Sequence, residues 1–233
     1  MDILRIDNLV KTYPGGKRAV DSLSLAVAPG DLYGFIGPNG AGKTTTIRAV
    51  VGAMDFDGGE IAVCGHSVKR ELAYIPDNPD LYDYLTGIGY VNFIADIYRV
   101  PRGEREARTQ AYAQLFELTG ALGDPIASYS HGMKQKLSLI AALVHAPKLL
   151  VLDEPFVGLD PQAAFHLKGV MKEICQAGGA IFFSTHVLEV AEKLCNRVAI
   201  IKAGRLVTSG PIAQVLSGAS LEDVFMEVAG EHA

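Results

Sequence analysis

The chain has 233 residues, of which 49% are hydrophobic and 20% charged, and a formal net charge of −5. That length allows one good core with a subdomain rather than two independent domains, and no stretch approaches the roughly 20 apolar residues needed to span a bilayer, so any membrane role has to come through a partner. The acidic balance argues against a general nucleic-acid binder, and no nucleic-acid partner is expected.

In chain order, Met1-Asp2-Ile3-Leu4-Arg5 lacks a basic region followed by an apolar core. No secretion signal is apparent, and a cytoplasmic protein is expected. Pro14-Gly15-Gly16 supplies a turn, and Leu23, Leu25 and Val27 alternate with Ser24 and Ala26, as short antiparallel strands do. Leu32-Tyr33-Gly34-Phe35-Ile36 reads as a buried strand, the glycine-rich run from Gly37 follows it, and Thr45 to Val51 carries a helix away. Asp57-Gly58-Gly59 then turns the chain into a strand over Glu60 to Val63.

From about Asp80 to Val144 the character becomes helical. Ile88, Val91, Ile94 and Ile97 recur at helical spacing behind a Thr86 cap and stop before Pro101. Ala107, Ala111, Leu115 and Leu118 fit a second helix ended by Gly120, and a third runs from about Gly132 to His145. Strand signals return at Leu149 to Leu152 and Ala180 to Phe183, flanked by helical patterns, which predicts a mostly parallel sheet. Val198 to Ile201 and Arg205 to Val207 form a hairpin, before a terminal helix over Leu221, Val224, Phe225 and Val228. Cys64, Cys175 and Cys195 lack metal-ligand spacing and read as reduced packing residues.

The chemistry concentrates at Gly37-Pro38-Asn39-Gly40-Ala41-Gly42-Lys43-Thr44-Thr45, which fits G-x-x-x-x-G-K-[ST] in the strand, loop, helix setting that pattern requires. Glycines let backbone N–H groups and the helix N-terminus face phosphate oxygens. Lys43 then neutralises the β- and γ-phosphates, and the Thr44 hydroxyl is an oxygen ligand suited to Mg²⁺. Asp153 and Glu154 follow an apolar strand at its carboxyl end, where ligands gather in open α/β sheets. Two adjacent acids are also what a solvated turn looks like, but the phosphate loop upstream favours metal and water handling. His186 follows Phe183-Ser184-Thr185 at the equivalent edge. A lone histidine there is usually structural; its placement also suits a donor to a γ-phosphate.

The ordered set of this loop, Tyr129-Ser130-His131-Gly132-Met133-Lys134-Gln135, Leu149 through Pro155, Gly158-Leu159-Asp160 and Ser184-Thr185-His186 resembles the ABC ATPases, specifically the ATP-binding subunits of ABC transporters. The resemblance covers nearly the whole chain. It implies an α/β fold: a P-loop NTPase core with a mostly parallel sheet, an N-terminal antiparallel β subdomain and an inserted α-helical subdomain. One ABC ATP-binding domain over 1–233 is expected, with the nucleotide core at about 1–79 and 146–215, the helical subdomain at about 80–145 and a C-terminal helix at about 220–229.

For the site, the resemblance implies ATP and Mg²⁺ as ligands. Tyr13 would stack on adenine, although it also reads as an ordinary hydrophobic surface or core residue. Residues 37–45 would hold phosphate, Thr44 and Asp153 the metal. Glu154 would polarise water as the general base, and His186 would contact the γ-phosphate. Ser130 and Gly132 match the signature that caps ATP on an opposite protomer, and Asp160 the loop crossing the dimer interface. The implied assembly is a head-to-tail dimer with a second ATP-binding subunit, identical or different, on a membrane permease at the inner face of the cell membrane.

Two departures stand out. The signature usually reads Leu-Ser-Gly-Gly-Gln, whereas Tyr129 to Met133 keeps only Ser130 and Gly132 of its polar and glycine set. Tyr74-Ile75-Pro76-Asp77 occupies the place where a Gln commonly follows, giving Asp77 instead; it reads equally as a water-mediated Mg²⁺ contact or a plain loop acid. With the Ser220 to Phe225 tail, these variants resemble subunits that pair with ABC-2 type permeases, and the segment from Asp77 to Leu85 would then lie near the permease. The competing expectation is a soluble ABC ATPase serving protein or iron–sulfur cluster assembly without a permease.

Overall fold

Nine residues at the N-terminus, β1 (Leu4–Thr12), pair antiparallel with β2 (Arg18–Val27) across the turn at Pro14 to Gly16. In β2 the residues Leu23, Leu25 and Val27 are buried while Ser24 and Ala26 are exposed, the signature of a sheet with one wet face. β3 (Leu32–Ile36) breaks that alternation because all five residues are buried. After α1 (Lys43–Val51), β4 (Gly58–Val63) returns to the far side of β1 and completes a three-stranded sheet in the order β2-β1-β4. This computed structural model describes residues 1–65 and 71–229; residues 66–70 and 230–233 of the expected domain, and the Val228 side chain of its expected terminal stripe, lie outside what is described.

β5 (Leu72–Ile75) leads into the helical segment: α2 (Gly87–Ile97), α3 (Arg102–Leu115) and α4 (His131–Leu143). The chain then alternates through β6 (Leu149–Asp153), α5 (Pro161–Gln176), β7 (Ala180–Thr185), α6 (Leu188–Leu194) and β8 (Arg197–Lys202), and closes with β9 (Arg205–Pro211), α7 (Ile212–Leu216) and α8 (Leu221–Ala229). The second sheet runs β5-β6-β7-β3-β8-β9, parallel except for the β8/β9 hairpin.

Both faces of this sheet are covered, which is why β3, β6 and β7 are apolar without a period of two. Leu32, Ile36, Leu150, Leu152, Ile181 and Phe183 join the core shared with the helices. Their neighbours Tyr33, Phe35, Val151 and Phe182 join the core under the antiparallel sheet. Phe35 and Phe182 pack there with tilted rings, their centroids 5.3 Å apart. Gly34 admits α6 to the first face, since a Cβ at that position would lie 2.8 Å from Cys195 Sγ.

The helical segment corrects two faces expected from the sequence. In α2 the buried residues are Gly87, Val91 and Ala95, while Ile97 is 59% exposed and Ile88 lies at the surface; only Val91 of the expected stripe is fully inside. In α3 the buried face is Thr109 and Ala113, continued by Phe116 at the C-cap, and Ala107 and Ala111 are exposed. The reason is that alanine buries too little area to orient a helix, whereas Phe116 buries a full aromatic ring. Leu118 lies beyond the helix, after the left-handed Glu117 (φ +55). The Thr86 cap holds, its hydroxyl accepting from Gly89 N at 3.1 Å. α4 starts one residue before its expected position and ends two before, since Ala146 turns left-handed at φ +51.

The three thiols are free, with Cys195 buried and the others half-buried. Burial pushes the Cys64 and Cys175 thiols up to about 11, which keeps both protonated as packing groups. Among the described residues no helix is long and apolar enough to cross a membrane.

Candidate functional site

β3, β6 and β7 are neighbours in the sheet, so whatever follows their carboxyl ends meets at one edge. After β3 the chain enters the glycine-rich loop. Gly40 (φ +79) and Gly42 (φ +110) take left-handed backbone there, and a Cβ on Gly37 would come within 2.5 Å of Ile201 O. Side chains are therefore excluded by both conformation and contact. Pro38, Asn39 and Gly40 are exposed, Ala41 is buried, and Ala41 N bonds back to Pro38 O at 3.1 Å.

Lys43 begins α1 and is 7% exposed. Its Nζ donates to Gly37 O at 2.6 Å and more weakly to Pro38 O at 3.4 Å, so the ammonium folds over its own loop. Burial lowers its pKa, opposed by the nearby charges of Glu154 and Asp153. Thr44 and Thr45 are half-buried at the start of the same helix. The Tyr13 hydroxyl reaches Thr45 Oγ1 at 3.3 Å, which turns the tyrosine ring towards the loop from β1's end. Tyr13, residues of the loop, Lys43, Thr44, Thr45, Asp77 and Glu154 line one cavity of about 270 Å³.

At the tip of β6, Asp153 is 1% exposed, and its Oδ1 accepts the Ser184 hydroxyl from β7. Its Oδ2 is buried with no hydrogen-bond partner among the described residues. Glu154 follows in left-handed backbone (φ +48), with its N–H bonded to Ser184 Oγ at 3.1 Å. Glu154 Oε1 lies 3.0 Å from His186 Nδ1 and 3.9 Å from Lys43 Nζ. Lys43, from the start of α1, and His186, just past β7, thus converge on one carboxylate at the tip of β6.

A buried carboxylate oxygen without a donor is costly, on the order of 1–3 kcal/mol or more for a charged group. A hard cation satisfies such an oxygen directly. The unpartnered Asp153 Oδ2, with the Thr44 hydroxyl in the adjoining loop, therefore fits Mg²⁺ chemistry. Asp77 reaches the same cavity but is exposed, and its Oδ1 accepts from Asn78 N at 2.9 Å.

Ser130 and Gly132 are elsewhere: neither lines the cavity that holds Lys43 and Glu154. Ser130 caps α4, its Oγ accepting from Met133 N at 3.3 Å. The next residues pack on the loop after β6, where a Cβ on Gly132 would lie 3.1 Å from Gly158 O and one on Gly158 (φ +81) 2.7 Å from the His131 ring. One turn further, Lys136 Nζ pairs with Asp160 Oδ2 at 2.7 Å, and Asp160 Oδ1 accepts from Ala163 N at 2.8 Å as the cap of α5. The hydrogen bond from Lys136, then that from Ala163, holds the Asp160 carboxyl below its ordinary range.

Ser184, which belongs to the motif ending at His186, joins the site through its hydroxyl, and Lys17 and Ala19, without a sequence signal of their own, also line the cavity. A hydroxyl pair closing an otherwise apolar buried strand is the signal for Ser184; Lys17 and Ala19 arrive only through the folding of β2 against the loop.

Residues 20–157 match the family model described as ABC transporter. The uncharacterized ABC transporter ATP-binding protein YhcH of Bacillus subtilis is 37% identical over 213 residues, 88% of this chain and 68% of that protein. YthP of the same organism, also an uncharacterized ABC transporter ATP-binding protein, is 36% identical over 218 residues and 91% of each chain. A solved ATP-binding subunit of an ABC transporter superposes with a TM-score of 0.94 at 33% identity, over 97% of this chain and 99% of that one. The phosphate loop and the tandem acids lie within the matched residues, the fold matches as well, and the chain belongs to the ABC transporter family as an ATP-binding subunit.

Proposed function

We propose that this chain is an Mg²⁺-dependent ATP hydrolase that drives a separate membrane permease, ABC-2 in type, from the cytoplasmic face of the membrane. The observation that carries this reading is the convergence of Lys43 and His186 on the Glu154 carboxylate, beside the unpartnered Asp153 oxygen. Lys43 exchanges the Gly37 and Pro38 carbonyls for β- and γ-phosphate oxygens, Tyr13 stacks on adenine, and the loop N–H groups of residues 37–45 hold the phosphates. Thr44 and Asp153 would hold Mg²⁺, and Asp77 would assist through water; the ion would supply charge neutralisation on the transferring phosphoryl group.

Glu154 accepts the proton of the attacking water, whose oxygen bonds to the γ-phosphorus as the bond to the β-phosphate oxygen breaks and ADP departs with that electron pair. His186, which touches the Glu154 carboxylate, donates to the γ-phosphate and keeps the water in line. Ser130 and Gly132, remote from this chain's own cavity, serve the ATP held by a second subunit, and Asp160 lies on the loop at that seam. Two such subunits close head to tail over two ATP molecules, because the triphosphate makes contacts in the closed form that the open form lacks.

Within the single domain, the nucleotide core of about 1–79 and 146–215 works against the helical subdomain of about 80–145. The segment from Asp77 to Leu85, with the exposed rings of Tyr82 and Tyr84, meets the permease. The test is Glu154→Gln with MgATP. Nucleotide binding is expected to persist, turnover to fall by about 10²–10⁴, and light scattering to report an ATP-dependent dimer. Undiminished turnover removes Glu154 from its role, and a chain that stays monomeric at saturating ATP, alone and with its permease, refutes the head-to-tail arrangement.

A further inference from the structure

Two features of the site ask for a common cause. Glu154 sits in left-handed backbone at φ +48, a conformation that costs an L-residue about 1–2 kcal/mol. Asp153, almost fully buried, keeps one oxygen bonded and the other without a partner. Ser184 connects them. It is fully buried, pairs in register with Asp153 across the β6/β7 ladder, and its single hydroxyl serves both acids.

A serine hydroxyl has one proton and two lone pairs. Here Oγ accepts the Glu154 N–H at 3.1 Å, so its proton is free to go to Asp153 Oδ1, where the pair is short. The donation fixes the carboxylate plane by one oxygen and leaves Oδ2 uncommitted. The acceptance secures the Glu154 N–H and with it the unusual turn that sends the glutamate towards Lys43 and His186.

We propose that Ser184 is a positioning residue that sets both carboxylates at once: it orients Asp153 towards the metal and Glu154 towards the water. This rests on the roles given to Asp153 and Glu154 under Proposed function. Groups that hydrogen-bond a ligating carboxylate tune metal affinity by about 10–100-fold when removed. A residue that only filled space between β6 and β7 would affect nucleotide and metal together.

The experiment compares the wild-type chain with Ser184→Ala and Ser184→Thr. Fluorescent ATP binding is measured in EDTA, and manganese(II) binding to the ATP complex is measured by its paramagnetic resonance signal. For Ser184→Ala we expect metal-free ATP affinity within about twofold of wild type and manganese affinity about tenfold weaker. Ser184→Thr, which keeps the hydroxyl, is expected to recover manganese affinity to within about threefold of wild type. Manganese binding by Ser184→Ala equal to wild type overturns the inference, as does a parallel loss of metal-free ATP binding or failure of threonine to rescue. If Ser184→Ala does not fold, Ser184→Cys, nearly isosteric with a weak donor, is read by the same criteria. A wild-type chain that binds no ATP in either condition overturns the site reading itself, and this inference with it.

Discussion

Gly158→Ala probes the packing between the start of α4 and the loop after β6. At φ +81 an alanine pays about 1–2 kcal/mol for left-handed backbone. Its methyl would also stand 2.7 Å from two atoms of the His131 ring, closer than side-chain carbons approach. His131 is exposed and can swing aside, so that contact adds on the order of 0.5 kcal/mol, as surface changes do. The sum is about 2 kcal/mol, which for a chain of this size lowers Tm by about 4–8 °C. Differential scanning calorimetry measures that, and ATP-driven dimerisation of the variant measures whether a displaced His131 carries the Ser130 turn with it. In a His131→Ala background the methyl meets no ring, and the dimerisation defect should shrink while most of the stability loss stays. A Gly158→Ala chain within about 0.5 kcal/mol of wild type would refute the backbone argument. Identical dimerisation defects in both backgrounds would refute the role of the ring.

Three further outcomes are expected. Lys43→Ala should weaken nucleotide binding, read by fluorescent ATP titration, because its ammonium is buried in the cavity; normal affinity would sink the phosphate-loop assignment. Ser130→Ala should lower stability by about 0.5–2 kcal/mol through loss of the α4 cap and impair ATP-driven dimerisation, whereas Ser130→Asn should restore the cap without restoring closure. If Ser130→Ala closes normally with ATP, the signature is not used in trans. His145 stacks on Tyr98 with ring centroids 3.7 Å apart, and burial, aided by Arg108, pushes its pKa down to about 4. Because the unfolded chain takes up that proton first, near 6.5, the folded state loses stability as pH falls from about 6.5 to 4 and is unaffected above that window. His145→Phe, which keeps a stacked ring, should flatten the fall in Tm across that range; parallel curves would exclude His145 as its source.

The strand, loop and helix over residues 32–51 are legible in the sequence because each piece is locally determined: an apolar run, glycines that tolerate left-handed backbone, and a helix that no proline interrupts. The Thr86 cap is legible for the same reason. The buried faces of α2 and α3 are not. Ile88 and Ile97 have the right spacing for a core stripe, yet neither is among the buried residues of α2, and small residues, Gly87 and Ala95, sit inside instead. β5 has only four residues, too few for a period, and is a strand because it lies against β6. At the site, the residue types at 43, 153, 154 and 186 point to phosphate chemistry, but that Lys43 and His186 both turn to one Glu154 oxygen depends on strand order, which no local pattern contains. The pairing of Lys136 with Asp160 is likewise a consequence of how α4 packs on the loop before α5.

The middle position of β3 in its sheet has a consequence for biosynthesis. Leu32 pairs with Ile181 and Tyr33 with Arg197, so the strand that carries the phosphate loop gains its two neighbours only after most of the polypeptide has been made. A nascent chain halted before β7 contains every residue of the loop yet lacks the frame that gives it shape. Such late, distant pairing slows folding and leaves apolar strand edges bare on the ribosome, where unwanted association begins.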